Sequence, residues 1–201
     1  IHVSGGSWQY KGLLAGKLAG IKIIWHLNDT MMPLMFRIIF GFLGKYADSC
    51  IYASERTRTY YKKYCDESKG LSFIPAPVDT EKFSPDVNVQ LDYDIDQLWL
   101  GKMVVGMVAN INPIKGVDVF VEVARVIGGS ISDVIFVVVG PVHKNQLDYF
   151  KVVKEANTSE SVDNIVFLGG REDVIPLLKR FDVYVCASRA ESSPISVWEA
   201  M

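Results

Sequence analysis

The run Val134 to Val139, reading Val-Ile-Phe-Val-Val-Val, constrains this chain more than any other stretch. Six consecutive apolar residues, most of them β-branched, cannot alternate between core and water, so they read as a strand covered on both faces. Such strands belong to parallel sheets, whose crossovers need helices. The neighbouring sequence supplies them in alternation. Met103 to Val108 reads as a strand, Val117 to Ile127 as a helix, and Leu147 to Ala156 as a helix. Ile165 to Leu168 follows as a strand, Asp173 to Arg180 as a helix, Val183 to Cys186 as a strand, and Pro194 onward as a helix. Right-handed crossovers place the strand ends carrying Asn110, Gly140, Gly169 and Ser188 along one sheet edge, where open α/β domains bind ligands.

The first half repeats the pattern. Trp8 to Ala19 has helical spacing, and Ile21 to Trp25 is a short buried strand. Pro33 to Tyr46 reads as a helix with proline in its first turn, Ser49 to Ala53 as a strand, Glu55 to Tyr64 as a helix, and Leu71 to Ile74 as a strand. From Pro75 to Gly101 the pattern dissolves into three prolines and an acidic stretch, Asp92, Asp94 and Asp96. The expected organisation is a first α/β domain over 1–83, a linker with a short peripheral element over 84–102, and a second domain over 103–201. Both ends read as cut inside an element: Ile1 to Val3 as a strand in progress, and Met201 as a helix without a stop signal.

The 201 residues are 49% hydrophobic, enough for two modest cores. With 21 Lys plus Arg against 23 Asp plus Glu, the chain lacks the basic field that nucleic acid requires. Cys50, Cys65 and Cys186 have neither the spacing of a zinc site nor the even count of a disulfide framework, so a cytoplasmic setting is expected. No leader peptide is visible, and Met31 to Leu43, broken by Pro33 and Arg37, is too short for a bilayer span of about 20 residues. Apolar residues surround nearly all of that helix, which favours a core position; Arg37 and Lys45 beside large apolar residues leave a peripheral membrane contact open.

The sharpest local signal is Ser188-Arg-Ala-Glu-Ser-Ser-Pro-Ile-Ser-Val-Trp-Glu199. Ser193 is placed to cap a helix with Pro194 at its first position, which turns the backbone N–H groups near Ile195 and Ser196 toward an anion. Helical side chains lean toward the N-terminus, so Glu199 reaches back toward the same ligand, and its carboxylate suits the adjacent hydroxyls of a ribose. Glu191, before the helix, is placed to meet a sugar hydroxyl. The competing reading is a solvated loop acid and a helix-surface acid, and the spacing of two glutamates does not by itself decide against it.

The surrounding residues do. Gly106, Ala109, Pro113, Lys115, Gly116 and Asp118, then Val139 and Gly140, then Phe167, Leu168 and Gly169, then Phe181, Asp182, Val183 and Ser188 precede the glutamates in order. Together they resemble the C-terminal domain of glycosyltransferase family 4, over about residues 103 to 201. In the first half, Ile24 to Asp29, Ala47, Asp48, Ser54, Ile74, Pro75, Val78, Asp79 and Phe83 resemble that family more loosely. The resemblance implies the GT-B fold, two doubly wound Rossmann-like domains facing a cleft, and a retaining transfer of sugar from a nucleotide-diphosphate donor to a glycan or lipid-linked acceptor. It implies that Lys115 contacts the donor diphosphate, Glu191 the transferred sugar, Glu199 the ribose, and His26 the donor sugar near the reacting carbon. No cofactor or metal is expected, and the leaving phosphate would help deprotonate the acceptor. The implied role is in polysaccharide biosynthesis, in the cytoplasm or at the inner face of its membrane.

The chain departs from the family pattern at three places. Asn110 stands where many members carry an arginine, so it brings an amide donor without charge. Ser192 replaces the glycine usual after the first glutamate, and Ala76-Pro77 replaces Asn-Gly. Three rivals remain: a nucleotide-sugar epimerase of the same fold, a dinucleotide oxidoreductase, and a non-catalytic nucleotide-sugar-binding protein. The oxidoreductase is disfavoured because no G-x-G-x-x-G follows a predicted strand.

Overall fold

The computed structural model describes residues 1–6, 9–158 and 164–201, so the expected helix start at Trp8 lies outside the described residues. The chain divides into two compact units, Ile1–Pro77 with Glu191–Ile195, and Val78–Ala190 with Ser196–Met201.

The first unit holds a four-stranded parallel sheet in the order β1 (His2–Ser4), β2 (Ile24–Leu27), β3 (Ser49–Tyr52) and β4 (Leu71–Phe73). The crossovers are α1 (Tyr10–Leu18), α2 (Leu34–Leu43) and α3 (Glu55–Tyr61). Ser54 caps α3 through its side chain, which accepts from the Thr57 N–H at 3.3 Å. The core gathers Leu13, Ile23, Trp25, Leu27, Phe40, Tyr52 and Tyr61, with Trp25 and Phe40 ring centroids 4.2 Å apart.

Two expectations are corrected here. Pro33 immediately precedes α2 in an extended conformation instead of sitting in its first turn. The core reading of that helix holds for one stripe: Phe36 and Phe40 are buried, whereas Leu34, Met35, Ile38 and Phe42 are exposed, Leu34 to 76%. Spacing by i and i+4 puts the two phenylalanines on one face and turns the others away. Among the described residues, no helix is long and apolar enough to cross a membrane.

The second unit contains α4 (Tyr93–Leu98), β5 (Met103–Val108), α5 (Val117–Gly128), β6 (Val134–Val139), α6 (Leu147–Thr158), β7 (Ile165–Gly169), α7 (Ile175–Arg180), β8 (Val183–Tyr184) and α8 (Ile195–Ala200). Its sheet is parallel in the order β7-β6-β5-β8. All six β6 residues are buried, as the unbroken apolar run requires. Helix α5 buries Val117, Phe120, Val121 and Ala124, one stripe at helical spacing, and Phe120 meets Phe136 edge to face.

Residues 84–102, expected as a linker, lie within the second unit. Trp99 is 1% exposed and packs with Val104, Ile135 and Leu177, while the Arg180 guanidinium donates to its carbonyl at 2.6 Å. A tryptophan that buries its whole ring ties the segment down. Prolines and acidic residues mark irregular backbone, and irregular backbone can still be packed.

Candidate donor site

In the second sheet the chain runs β5, β6, β7 in one direction, then crosses back to place β8 on the far side of β5. The point between β5 and β8 is therefore the topological switch, and ligands of open α/β sheets bind beyond the carboxyl ends of the strands that flank it. Asn110 and Lys115 follow β5, and Ser188 and Arg189 follow β8.

The strand ends are knitted by backbone bonds: Ala109 N–H donates to Val139 O at 2.9 Å, Gly140 N–H to Gly169 O at 2.9 Å, and Ile111 N–H to Pro141 O at 3.1 Å. Asn110 lies exposed at this edge. The chain then tightens into a 3-10 turn, Pro113–Lys115, in which Asn112 Oδ1 accepts from the Lys115 N–H at 3.1 Å. Gly116 ends the turn in the left-handed region at φ 69°, and a β-carbon there would lie 2.1 Å from the Ala187 carbonyl oxygen. Glycine is needed for both reasons. The turn carrying half-buried Lys115 is thereby seated against the chain leaving β8.

A charged network that sequence reasoning missed closes this seat. Arg189 donates to both carboxylate oxygens of Asp118, at 2.8 and 2.6 Å, and to the Pro113 carbonyl at 2.7 Å, while its N–H donates to Ile114 O at 2.8 Å. From α6, the Tyr149 hydroxyl donates to Asp118 Oδ1 at 2.7 Å and accepts from the Asp118 N–H at 3.1 Å. The Arg189 guanidinium holds the Asp118 carboxyl well below the usual carboxylate range, with the Tyr149 hydrogen bond adding to the effect. Burial, reinforced by the bond to Asp118, pushes the Tyr149 phenol up to about 12. Asp118 falls in the predicted helix that opens at Val117, and Arg189 just beyond the predicted strand Val183 to Cys186. Their pairing spans 71 positions and needs the β5–β8 adjacency to become visible.

Glu199 sits half-buried in α8 within the second unit, as does Ser196. The Tyr184 phenol is pushed up by burial, with the Glu199 carboxylate adding to the rise, while its hydroxyl donates to Val108 O at 3.3 Å. Glu199 also borders an open cavity with Phe83, Pro85, Leu178 and Lys179.

Helix α8 begins at Ile195, with Pro194 directly before it and Ser193 one residue earlier. The stretch Glu191–Ile195 groups with the first unit, and there Ser193 Oγ accepts from the Ala76 N–H at 2.9 Å. Glu191 and Ser193 are half-buried and Ile195 is exposed.

His26 belongs to the first unit, one residue before the end of β2. Its Nε2 lies 3.2 Å from Ile74 O, and since a carbonyl only accepts, Nε2 is the donor of that bond. The ring stacks on His2 with centroids 5.7 Å apart. Among the described residues, no group of three His, Cys, Asp or Glu side chains is placed to hold a metal ion.

The chain resembles known proteins in sequence and in fold. The family described as Glycosyl transferases group 1 matches residues 95–201, more than half of the chain. The chain is 27% identical over 215 aligned positions to the UDP-Gal:alpha-D-GlcNAc-diphosphoundecaprenol alpha-1,3-galactosyltransferase of Escherichia coli, covering all of this chain and 54% of that protein. Its fold matches Anabaena HepE in complex with UDP-glucose at a TM-score of 0.79 and 21% identity, over 99% of this chain and 56% of that one. It also matches a trehalose-6-phosphate synthase, solved with bisubstrate glycomimetics to study glycosyl transfer with retention, at a TM-score of 0.76 and 9% identity, over 100% and 55% of the two chains. The chain thus spans about half the length of the relatives it matches. By its sequence over residues 95–201 and by its GT-B fold, it belongs to the group 1 glycosyl transferases.

Proposed function

We propose that the chain is the donor-handling part of a retaining, family 4 hexosyltransferase that moves a hexose from a UDP-sugar to a lipid-linked saccharide in polysaccharide biosynthesis. The observation that carries this reading is the lysine turn after β5, seated by Gly116 on the tail of β8 at the sheet's switch point. The donor and acceptor classes are those of the relatives: UDP-galactose with a diphosphoundecaprenol-linked sugar in one, UDP-glucose in another.

In this reading Lys115 meets the diphosphate as a compact cation, assisted by the Asn110 amide, by Ser193 and by the backbone around Ile195 and Ser196. Glu199 accepts from the ribose hydroxyls, and Glu191 and His26 hold the transferred sugar. The bond between the anomeric carbon and the phosphate oxygen breaks, and the electron pair leaves with the diphosphate. The acceptor hydroxyl attacks from that same face, and its proton passes to the departing phosphate oxygen. The chain contributes position and charge, and the reaction is proposed to proceed without metal or cofactor.

Placement at the cytoplasmic face of a membrane follows from the lipid-linked acceptor class. The exposed Leu34, Met35, Ile38 and Phe42 beside Arg37 fit that setting. Sedimentation of the full-length protein without anionic liposomes in a flotation gradient would overturn this part.

The main test is transfer from a UDP-hexose by the full-length protein and its Lys115→Ala and Glu199→Ala variants. Lys115→Ala should lose roughly 100-fold in kcat/KM, as for a deleted charge-stabilising donor. Glu199→Ala should act mainly by raising the donor KM. Turnover unchanged in both would overturn the assignment.

A further inference from the structure

We propose that Arg189 is a positioning residue for the donor: held on Asp118 and Pro113, it pins the Lys115 turn to the chain segment that runs into Glu191. This rests on the donor-site reading of Lys115 above.

Lys115 sits in a single 3-10 turn, an element with poorer hydrogen-bond geometry than an α-helix. Within it, the Lys115 N–H is bound to Asn112 Oδ1 and to the Asn112 carbonyl, at 3.1 and 3.2 Å. The Gly116 N–H closes the turn on Pro113 O at 3.3 Å, and further bonds reach it from the chain after β8. The Arg189 N–H reaches Ile114 O, its guanidinium reaches Pro113 O, and its fork grips Asp118 at the start of α5. One residue thus bonds the turn at two carbonyls and at the first acid beyond it. Tyr149 holds Asp118 from α6, so the carboxylate cannot swing away with the guanidinium.

The chemistry selects arginine. A planar fork satisfies two carboxylate oxygens at once and still reaches a carbonyl, whereas an ammonium is a point charge. With its charge paired to Asp118, Arg189 does not replace the cation that Asn110 lacks. Its contribution is to order the lysine turn before the donor arrives, so that less freedom is lost on binding. Asp118, with both oxygens engaged, serves as the anchor and not as a base.

The two halves of the seat are complementary in kind. Gly116 against the Ala187 carbonyl sets how close the turn approaches, and Arg189 sets its register along the β8 tail. Only Ala190 separates Arg189 from Glu191 along the chain.

The test is calorimetric titration of UDP into the full-length protein, with Arg189→Lys and Lys115→Ala made singly and together, and thermal melting of each. Arg189→Lys should weaken UDP roughly 10-fold with a melting temperature within about 2 °C of the parent. Because the lysine is already misplaced in that background, adding Lys115→Ala should cost much less there than alone. If Arg189→Lys melts far lower, Asp118→Asn, which removes the anchor charge, carries the same comparison. UDP bound equally by Arg189→Lys and parent, or two effects that multiply in full, would overturn the positioning role and leave the donor-site reading standing. A parent protein that binds no UDP would overturn both.

Discussion

A β-carbon added to Gly116 would stand 2.1 Å from the carbonyl oxygen of Ala187, so the turn after β5 and the chain after β8 touch backbone to backbone. That approach brings the lysine turn to the sheet's switch point. It also makes the site sensitive to one methyl group.

Gly116→Ala should therefore destabilise the protein through two additive causes. A left-handed conformation costs a non-glycine residue about 1–2 kcal/mol, and relief of the clash must move backbone on one side. Together about 2–4 kcal/mol is expected. Chemical denaturation would measure it, and loss of UDP affinity at temperatures where the variant is still folded would show the seat itself has opened.

The Asp118 carboxyl is held below its ordinary value by Arg189 and Tyr149, and the sign of the pH effect follows. A carboxyl depressed in the folded state adds stability that is complete above the unfolded value of about 3.9, fades as pH falls below it, and is gone below the folded value. Solvent reaches both partners, with 48% and 42% of the side-chain surfaces of Arg189 and Asp118 exposed, so screening keeps the effect modest. Denaturation between pH 5 and 2 should show a steeper loss in the parent than in Asp118→Asn, and parallel curves would contradict the pairing.

Asn110 lies exposed at the end of β5, where an arginine stands in many members of the resembling family. Asn110→Arg should tighten UDP by roughly 3–10-fold through a charge-assisted hydrogen bond, and the gain should shrink in high salt. Titration of UDP at two ionic strengths checks both, and an affinity that does not change would place Asn110 outside the diphosphate's reach.

Much of this fold was legible along the chain. Strands β5 and β6 fall at Met103–Val108 and Val134–Val139, as read from their apolar runs. Elsewhere the expected ends shift by a few residues, as at α2 and α8, because a proline before a helix and one inside its first turn look alike in sequence. Residues 84–102 read as a linker with a short peripheral element because prolines and acids interrupt periodicity, and the buried ring of Trp99 packs that segment into the second unit.

For the site, the residue types and their order determined which chemistry to look for: a lysine after one strand, two glutamates around a helix start. Sequence alone also determined the parallel sheets, since unbroken β-branched runs must be covered on both faces. Only the tertiary structure decided that β8 lies beside β5, and with it that Gly116 meets Ala187 and Arg189 meets Asp118. Ion pairs act over a few ångströms and leave no periodicity in the sequence, so a contact between positions 118 and 189 exists for the chain only once the sheet has set its strand order.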